Sequence, residues 1–181
     1  MTEPNELPME IAPIGRVQND LEAPMHSAEE SDMPKAERLR KVREDHEKIR
    51  ETVSELVIFD QWAELLDGIE AFSHILILYW PHRLDPEKRK LRKVHPMGRQ
   101  DLPEVGIFAT CSPGRPNPVL VTTAPLLGRN GNILKVKALE ALNGSPIIDV
   151  KPYVAPYVGA TEPQVADWMR QLHEELDVKI F

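Results

Sequence analysis

The sequence predicts a mainly β domain: a small β-barrel with a charged helix inserted after the first strand and a further helix at the C-terminal end. Three observations lead to this prediction. Short runs rich in β-branched residues recur six or seven times, hairpin-type steps separate several of them, and one apolar run is long enough for a central strand. Short strands joined by such turns are most simply arranged as a barrel.

The barrel domain is expected over residues 9–158, after a disordered tail at residues 1–8. Its first strand is predicted at Met9–Val17, where a proline confines part of the strand to a sheet edge or a bulge. A charged helix is expected over residues 35–53, because apolar side chains there recur at three- and four-residue steps. His46 falls on this apolar stripe, and a packed histidine is the favoured interpretation over a ligand-facing one.

The middle of the chain carries the strongest strand signal. Ala71–Trp80 is almost continuously apolar, which indicates a strand covered on both faces, either central in a barrel or at a subunit interface. The other predicted strands are Glu55–Trp62, Val105–Thr110, Pro118–Leu126, Asn132–Leu142 and Ile147–Tyr153. The steps Asn130-Gly131 and Asn143-Gly144 predict two hairpin turns between the last three of them.

The C-terminal segment, residues 159–181, is expected to form a helix that packs on the barrel or on a partner subunit. Thr161 is the predicted N-cap, with Pro163 in the first turn and Gln164 in the capping-box position. The apolar stripe of this helix consists of Val165, Trp168, Met169, Leu172 and Leu176. Packing explains such a stripe more simply than chemistry does.

The segment that follows a predicted buried strand, Gly106–Thr110, is a proline-rich loop that contains Pro113, Pro116 and Pro118. Three prolines within six residues fix the backbone and remove hydrogen-bond donors, so this segment forms neither helix nor sheet interior. Arg115 and Asn117 stand between the prolines, where a stiff loop would present them to a ligand. Composition alone supports equally a ligand-binding rim and a rigid connection with nothing bound.

Composition excludes several function classes. The chain has 181 residues, of which 41% are hydrophobic and 28% charged, as is typical of one globular domain. Its net charge of −7 argues against a generally adhesive nucleic-acid binder. The acidic N-terminus is unlike a signal peptide, no apolar run has the length of a membrane span, and the lone Cys111 permits no internal disulfide. We therefore expect a cytoplasmic protein.

One segment concentrates positive charge in this acidic chain. The basic segment, Lys88–Lys93, contains Lys88, Arg89, Lys90, Arg92 and Lys93. A solvated loop is the commoner reason for such a run, and a local anion-binding surface is the alternative. The sequence has no glycine-rich dinucleotide motif, no P-loop, no H-E-x-x-H and no cysteine pair for zinc, so we expect neither a metal site nor the usual α/β nucleotide machinery.

Four ordered blocks of unusual sequence resemble one family. They are PIGRVQ at Pro13–Gln18, LLDGIEAFSHILILYWPH at Leu65–His82, GIFATCSPGRPNPV at Gly106–Val119 and LNGSPIIDVKPYVAPY at Leu142–Tyr157. On these blocks the chain is similar to the TsaA-like family, also called the tRNA methyltransferase O family. The resemblance implies a small β-barrel that binds S-adenosylmethionine without a Rossmann fold, forms a homodimer and methylates N6 of threonylcarbamoyl-adenosine beside the anticodon of tRNA.

The resemblance implies cofactor contacts at matching positions. His82 and Arg83 match the end of the family's long central strand, and Arg115 and Asn117 belong to a complete Arg-Pro-Asn-Pro match. The remaining positions implied to contact the cofactor are Cys111, Leu139, Asn143, Gly144, Ser145 and Pro146.

The family's Asp-x-Lys-Pro-Tyr string is matched by Asp149, Lys151, Pro152 and Tyr153. Because side chains alternate along a strand, Asp149, Lys151 and Tyr153 are expected on one face, and we take them as the candidate catalytic set. A structural ion pair with a packed tyrosine is an equally good interpretation on physical grounds. The basic segment would contact tRNA phosphates.

Three positions depart from the family pattern. Cys111 stands where the family has arginine, Leu120 where it has glycine, and Asn143 where it has aspartate. One cation and one anion are therefore missing, which points either to compensating changes or to a different substrate or weaker cofactor binding. Two alternatives to the tRNA methyltransferase follow: a non-catalytic dimeric module that binds S-adenosylmethionine or another adenosine compound, and a methyltransferase with a different small-molecule substrate.

Overall fold

The structure is a computed structural model that describes residues 9–24 and 33–177; the predicted tail at residues 1–8 lies outside them. Within these residues the strands are β1 (Gly15–Gln18), β2 (Val53–Ile58), β3 (His74–Tyr79), β4 (Lys93–Val94), β5 (Val105–Gly106), β6 (Leu120–Asn130), β7 (Ile133–Lys137) and β8 (Pro146–Pro152). The helices are α1 (Lys35–Glu51), α2 (Ala155–Val158) and α3 (Asp167–Leu176). Six strands form a closed antiparallel barrel in the order β1-β2-β7-β6-β3-β8, which confirms the predicted fold class.

Strand β3 runs through the centre of the barrel wall, between β6 and β8. Its side chains alternate: Ile75, Ile77 and Tyr79 point inward and are at most 4% exposed, whereas Leu76 and Leu78 lie on the outer face. The predicted apolar run is thus a strand with a buried inner face and a half-buried outer face.

The barrel core is built from aliphatic side chains of all six strands and of the segment after β7. Its fully buried members include Leu56, Ile58, Ile75, Ile77, Leu134, Val136, Leu139 and Ile147. Each such side chain contributes roughly 1.5–3 kcal/mol when it is removed from water. Gly15 admits close approach of β1 to β2, since a Cβ there would lie 2.5 Å from the Val57 carbonyl oxygen.

A second, smaller apolar cluster joins the two long helices outside the barrel. Val42 of α1 packs with Leu172 and Leu176 of α3 and with Leu102 of the segment after β4. The C-terminal helix therefore lies on α1 rather than on a barrel strand. We call α1, α3 and residues 95–102 the helical unit.

Several predicted strands have different bounds in the structure. The strand predicted at Pro118–Leu126 is β6, which ends four residues later at Asn130, and the one predicted at Asn132–Leu142 is β7, which ends at Lys137. Gly106–Thr110 is not a buried strand: β5 stops at Gly106, a 3-10 turn follows, and Phe108 is 77% exposed. The Thr110 amide and hydroxyl both donate to the Ile107 carbonyl, so the backbone closes on itself instead of entering a ladder. The strand predicted at Glu55–Trp62 begins earlier and ends at Ile58. The Asn132 side chain donates a hydrogen bond to the Ile58 carbonyl there.

The first predicted strand, Met9–Val17, is reduced to β1, because Pro13 has no amide to donate and pairing begins only after it. The hairpin predicted at Asn130-Gly131 is confirmed between β6 and β7, with Gly131 at a φ of 60°. The one predicted at Asn143-Gly144 is wrong. Strand β7 pairs with β2 and β6, whereas β8 pairs with β1 and β3. The turn at Asn143-Gly144 therefore connects two strands that do not pair with each other.

The predicted capping box of the C-terminal helix is also wrong. Helix α3 begins at Asp167, its N-cap is Ala166, and no side chain caps it. Glu162 has a φ of 52°, which breaks any helical path between Thr161 and Gln164. The predicted absence of sheet and helix from the proline-rich loop is confirmed, since no residue from Thr110 to Val119 is assigned to either.

Candidate functional site

A cleft with a volume of about 510 Å³ opens at one end of the barrel, where β3 ends and β6 begins. Four loops surround it: residues 19–24, residues 81–88, the proline-rich loop and residues 140–145. Its walls are largely apolar, from Leu21, Pro24, Ile49, Pro81, Leu84, Val119, Leu120 and Leu142. Its charged lining comes from Arg83, Asp85, Lys88, Arg115 and Glu140. A cleft of this size with few polar groups suits a small organic ligand.

Residues 19–24, which we call the strap, are fastened across the cleft. The Glu22 carboxylate accepts hydrogen bonds from Arg83 Nη2 at 2.8 Å and from Asn143 Nδ2 at 2.9 Å, and Arg83 Nη1 donates to the Glu22 carbonyl. The bonds from Arg83 and Asn143 lower the pKa of Glu22. At its other end Asn19 donates to Ser54 Oγ and to the Ala141 carbonyl, both at 2.9 Å. Asn143 stands where the family has aspartate, and its amide thus donates a hydrogen bond that an aspartate carboxylate could not donate.

His82 lies beside this fastening. Its Nδ1 is 3.3 Å from Ser145 Oγ, and a side chain at Gly144 would be in van der Waals contact with its ring. Burial and then the neighbouring Arg83 charge lower the pKa of His82. A neutral imidazole can both donate and accept hydrogen bonds, so His82 is suited to a polar, uncharged partner.

The proline-rich loop is braced from two sides. Arg115 turns back on its own loop, donating from Nε to the Ser112 carbonyl at 2.8 Å and from Nη2 to the Thr110 carbonyl. Arg89 of the basic segment donates to the Pro116 carbonyl at 2.8 Å, and its guanidinium lies 5.4 Å from the centre of the Trp80 ring. These two arginines therefore stiffen one wall of the cleft.

The predicted cofactor residues fall into three groups. Arg83, Cys111, Arg115 and Ser145 line the cleft. His82, Asn143 and Gly144 adjoin it through contacts with lining or strap residues. Three others do not line it. Asn117 belongs to the proline-rich loop, Pro146 follows the loop at residues 140–145, and Leu139 is fully buried in the barrel core.

No member of the predicted catalytic set is part of the cleft lining, and Asp149 and Lys151 lie on the outer face of the barrel. Asp149 Oδ2 is 2.5 Å from Lys151 Nζ, so these two side chains form an ion pair. Asp149 stands opposite Leu78, which in turn stands opposite Val121 at the cleft edge. Two strand spacings, about 10 Å, separate Asp149 from Val121 along this row.

Tyr153 lies apart from that row. It follows Pro152 at the end of β8 that is remote from the cleft, and its amide donates to the His74 carbonyl at the start of β3. Its side chain is 37% exposed. Asp149 and Lys151 are therefore together, as the alternation predicts, whereas Tyr153 is near the opposite end of the same barrel.

The basic segment borders the cleft. Lys88 lines it, Arg89 braces the proline-rich loop, and Lys90 pairs with Glu87 at 2.7 Å. Lys93 is 3.9 Å from Glu104, and Arg92 is exposed. Basic side chains therefore extend outward from one rim of the cleft, and two of them, Lys90 and Lys93, lie near glutamates.

Four polar cleft residues escaped sequence reasoning: Tyr79, Asp85, Thr122 and Glu140. Tyr79 Oη is 3.4 Å from Thr122 Oγ1, at the barrel end of the cleft. Burial raises the pKa of Tyr79, and the negative charge of Glu140 raises it further, so the phenol stays neutral at physiological pH. Strand alternation at the end of β3 and the start of β6 could have identified the two hydroxyls.

The fold and the cleft define a small antiparallel barrel with a ligand-sized site at one end. Among the described residues, no cluster of histidine, cysteine and carboxylate groups is arranged to hold a metal ion, and no helix has the length and apolarity to cross a bilayer. The family described as the tRNA-methyltransferase O N-terminal domain matches residues 28–158. The match covers most of the chain, and the protein belongs to this family.

Individual proteins show the same likeness. An S-adenosyl-L-methionine-binding protein of Archaeoglobus fulgidus is 44% identical over 103 residues, which are 57% of this chain and 70% of that protein. A tRNA (adenine(37)-N6)-methyltransferase of Rattus norvegicus is 36% identical over 100 residues, 55% of this chain but 23% of that protein. The crystal structure of TrmO from Pseudomonas aeruginosa has the same fold, with a TM-score of 0.62 at 20% identity over 89% of this chain and 63% of that one. This chain thus spans less than two thirds of the solved structure and about a quarter of the rat protein.

Proposed function

We propose that the protein is an S-adenosylmethionine-dependent methyltransferase that acts on N6 of an adenosine beside the anticodon of tRNA, in the threonylcarbamoyl-modified form, in the cytoplasm. The observation that carries the proposal is the continuity of the cleft with the basic segment through Lys88, which belongs to both. A small-molecule site and a phosphate-binding surface are thereby adjacent. Family membership and the names of the relatives support the same activity.

The cleft residues fit the groups of this cofactor. Apolar walls suit the adenine ring and the methylene chain, while the loop at residues 81–88 offers Arg83, Asp85 and Lys88 to a group that carries both an ammonium and a carboxylate. Bound there, S-adenosylmethionine would supply a methyl group already activated on a sulfonium. What remains for the protein is to hold the acceptor nitrogen in line and to exclude water.

Asp149 is our candidate to take the proton that the acceptor nitrogen loses. Its carboxylate is held by Lys151, and the apolar row of Val121 and Leu78 leads to it from the cleft edge. Because two strand spacings, about 10 Å, separate Asp149 from Val121 at the cleft edge, the proton would reach Asp149 through a water relay rather than directly. Lys151, which is exposed, would also attract an anionic substituent on the substrate base.

We further propose a homodimer in which Tyr153 serves the cleft of the other subunit. Within one chain Tyr153 is at the opposite end of the barrel from the cleft, so the catalytic set is complete only if a partner supplies it. Exposed apolar side chains are available for such contact: Val121 is 57% exposed, Phe108 77% and Tyr157 85%. Analytical ultracentrifugation that finds only monomer at working concentration would exclude this arrangement.

Two measurements test the proposed activity. Calorimetry with S-adenosylmethionine should show one site per chain, and purified tRNA should accept label from the methyl-labelled cofactor. Asp149→Asn should lower turnover about 100-fold, the usual size of a lost acid-base group, with cofactor affinity unchanged. Asp167→Asn, at an exposed pair on α3, is the matched control. Absence of cofactor binding at millimolar concentration excludes the proposal.

The basic segment has its own test. Lys90→Glu with Arg92→Glu should weaken tRNA binding and reduce the slope of affinity against salt by about two phosphate contacts. Arg40→Glu with Arg50→Glu on α1 makes the same charge change elsewhere and should preserve that slope. If the salt slope is unchanged in the Lys90→Glu, Arg92→Glu variant, the basic segment does not contact tRNA phosphates.

A second candidate function is a non-catalytic module that binds S-adenosylmethionine. The observation that favours it is the name of the archaeal relative, an S-adenosyl-L-methionine-binding protein, which states cofactor binding and no reaction. Cofactor binding without any transfer to tRNA from cells that lack this modification would select this function over the first.

A further inference from the structure

Arg89 belongs to the basic segment, but its side chain contacts the proline-rich loop. Its Nε and Nη2 donate to the Pro116 carbonyl at 3.1 and 2.8 Å, and its guanidinium carbon lies 5.4 Å from the centre of the Trp80 ring. A planar guanidinium can donate through two nitrogens while its face lies on an aromatic ring, which an ammonium cannot do. Arg89 therefore connects the basic segment, the proline-rich loop and the residue that follows β3.

The carbonyl that Arg89 holds lies between two parts of the loop that line the cleft. Arg115 stands directly before Pro116, Val119 follows shortly after it, and both line the cleft. Each part has its own short-range hydrogen bond, in which the Arg115 or Val119 amide donates at 2.8 Å to the carbonyl two residues earlier. These bonds do not join the two parts to each other. The bond from Arg89 fixes the backbone at the point between them.

The proline-rich loop packs against the basic segment at a second point. A Cβ at Gly114 would lie 3.0 Å from Leu91 Cδ1 and 3.2 Å from the Lys88 carbonyl oxygen, so only a glycine fits there without displacing a neighbour. The turn that contains Lys88 is capped by Asp85, whose Oδ1 accepts a hydrogen bond from the Glu87 amide at 2.9 Å. Asp85 and Lys88 line the cleft themselves. The basic segment thus supports the cleft wall as well as carrying charge.

We propose that Arg89 is a positioning residue for the cofactor, which holds the proline-rich loop in place as a wall of the cleft and acts through that loop rather than through a phosphate contact. The identity of the ligand rests on the proposed function. The basic segment is thereby divided, since Arg89 acts on the cleft while the exposed Arg92 is available to tRNA. Because the contacts of Arg89 lie at the surface, their loss should loosen the loop without unfolding the barrel.

The test combines calorimetry with S-adenosylmethionine and amide hydrogen exchange of residues 110–119 in the ligand-free protein. Arg89→Met should weaken cofactor binding roughly tenfold and accelerate exchange in the loop, the size expected for one charged hydrogen bond and one ring contact. In methyl transfer to tRNA, KM for the cofactor should rise and kcat at saturating cofactor should be unchanged. Arg89→Lys keeps the charge but not the two-nitrogen bond, so it should recover only part of the affinity.

Arg92→Met is the matched variant, because it removes the same charge from the same segment. It should lower the slope of tRNA affinity against salt by about one phosphate contact and leave cofactor affinity and loop exchange unchanged. Arg89→Lys should do the reverse, with weaker cofactor binding and an unchanged salt slope. Charge and position are thereby measured separately within one segment.

Three results would overturn the proposal. Unchanged cofactor affinity in Arg89→Met would do so even if the loop exchanged faster, because the order of the loop would then not affect the ligand. Full recovery in Arg89→Lys, or an equal loss of affinity in Arg92→Met, would assign the effect to charge alone. Failure of the unmodified protein to bind S-adenosylmethionine would instead defeat the proposed function, and exchange in residues 110–119 would still decide whether Arg89 holds the loop. Thermal unfolding of each variant confirms that the fold is intact.

Discussion

Two arginines of this protein hold carboxylates in opposite ways. Arg99, in the helical unit, has a side chain only 3% exposed and bonds both Asp101, at 2.5 Å, and Glu175 of α3. Arg83, at the cleft, has a side chain 43% exposed and holds Glu22, whose side chain is 62% exposed. In the first ion network the arginine is enclosed by protein although Asp101 is 51% exposed, whereas in the second both side chains face water.

The difference determines what each network can do. A buried arginine that loses its carboxylates is left as an uncompensated charge, so the Arg99 network holds α3 to residues 95–102 as part of the structure. An exposed pair contributes little and is screened by salt, so Arg83 and Glu22 form a fastening that can be released without unfolding anything. The barrel, whose core is apolar, depends on neither.

The largest expected effect is that of Arg99→Met. Two carboxylates lose their buried arginine and keep only the exposed Lys35 as a cation partner, so the free energy for opening the helical unit should fall by about 2 kcal/mol. Hydrogen exchange should accelerate in residues 167–176 and remain unchanged in β3. Arg170→Met, which removes an exposed pair on the same helix, should have little effect. Equal acceleration in β3 would show that the helical unit and the barrel unfold together.

Lowering the pH should open the helical unit before it unfolds the barrel. Hydrogen bonds from Arg99 lower the pKa of Glu175 to about 2 and lower that of Asp101 as well. Because the folded-state pKa values are depressed, the stabilisation is fully present above the ordinary values near 4 and is lost as pH falls from there towards 2. The indole resonance of Trp168 on α3 should therefore change at a higher pH than the amides of β3. A single common midpoint would contradict this order.

At the strap, Asn143→Asp should have a moderate effect. It replaces a donor 2.9 Å from Glu22 by a second carboxylate, so repulsion should loosen the strap and raise hydrogen exchange in residues 19–24 about fivefold at low salt. The effect should fade at high salt, where exposed charges are screened. In a double-mutant cycle, Glu22→Gln should remove most of the penalty of Asn143→Asp. Independent, additive effects would show that the two side chains do not interact in solution.

The smallest expected effect is that of Glu22→Gln alone. The amide can still accept from Arg83 and Asn143, so only the charge is lost, and exchange in the strap should rise about twofold. The salt dependence of that exchange should disappear, which distinguishes loss of an ion pair from loss of packing. Glu87→Gln, at an exposed pair outside the strap, is the matched control. An exchange rate that still rises with salt in Glu22→Gln would assign the fastening to other contacts.

Much of the fold could be predicted from local sequence, but its exact bounds could not. The apolar run that contains β3 and the Asn130-Gly131 step determine a strand and a hairpin by short-range rules. The segment after Gly106 has the same β-branched and aromatic composition as a strand, yet it forms a turn because its amides bond within the segment. Composition does not reveal which backbone partner a residue will find.

The candidate site, like the fold, could be predicted from the sequence only in part. Arg115 was predicted from the proline-rich loop and does line the cleft, but its guanidinium bonds its own loop. Glu140 was missed because a single acidic residue in a hydrophobic stretch carries no motif. Tyr79 and Thr122 come together only because β3 pairs with β6 in the register that brings their hydroxyls to 3.4 Å.

Local sequence features were enough to predict the class of this protein, because β-rich composition, turn residues and four unusual blocks led to a small barrel and its family. Tertiary structure decided which charges act on a ligand and which hold the chain together. Arg99 and Arg83 look alike in sequence, and only burial separates them, since the strength of an ion pair depends on the water around it. Likewise, Asp149 and Tyr153 are four residues apart in one string, and only the direction of β8 puts them at different distances from the cleft.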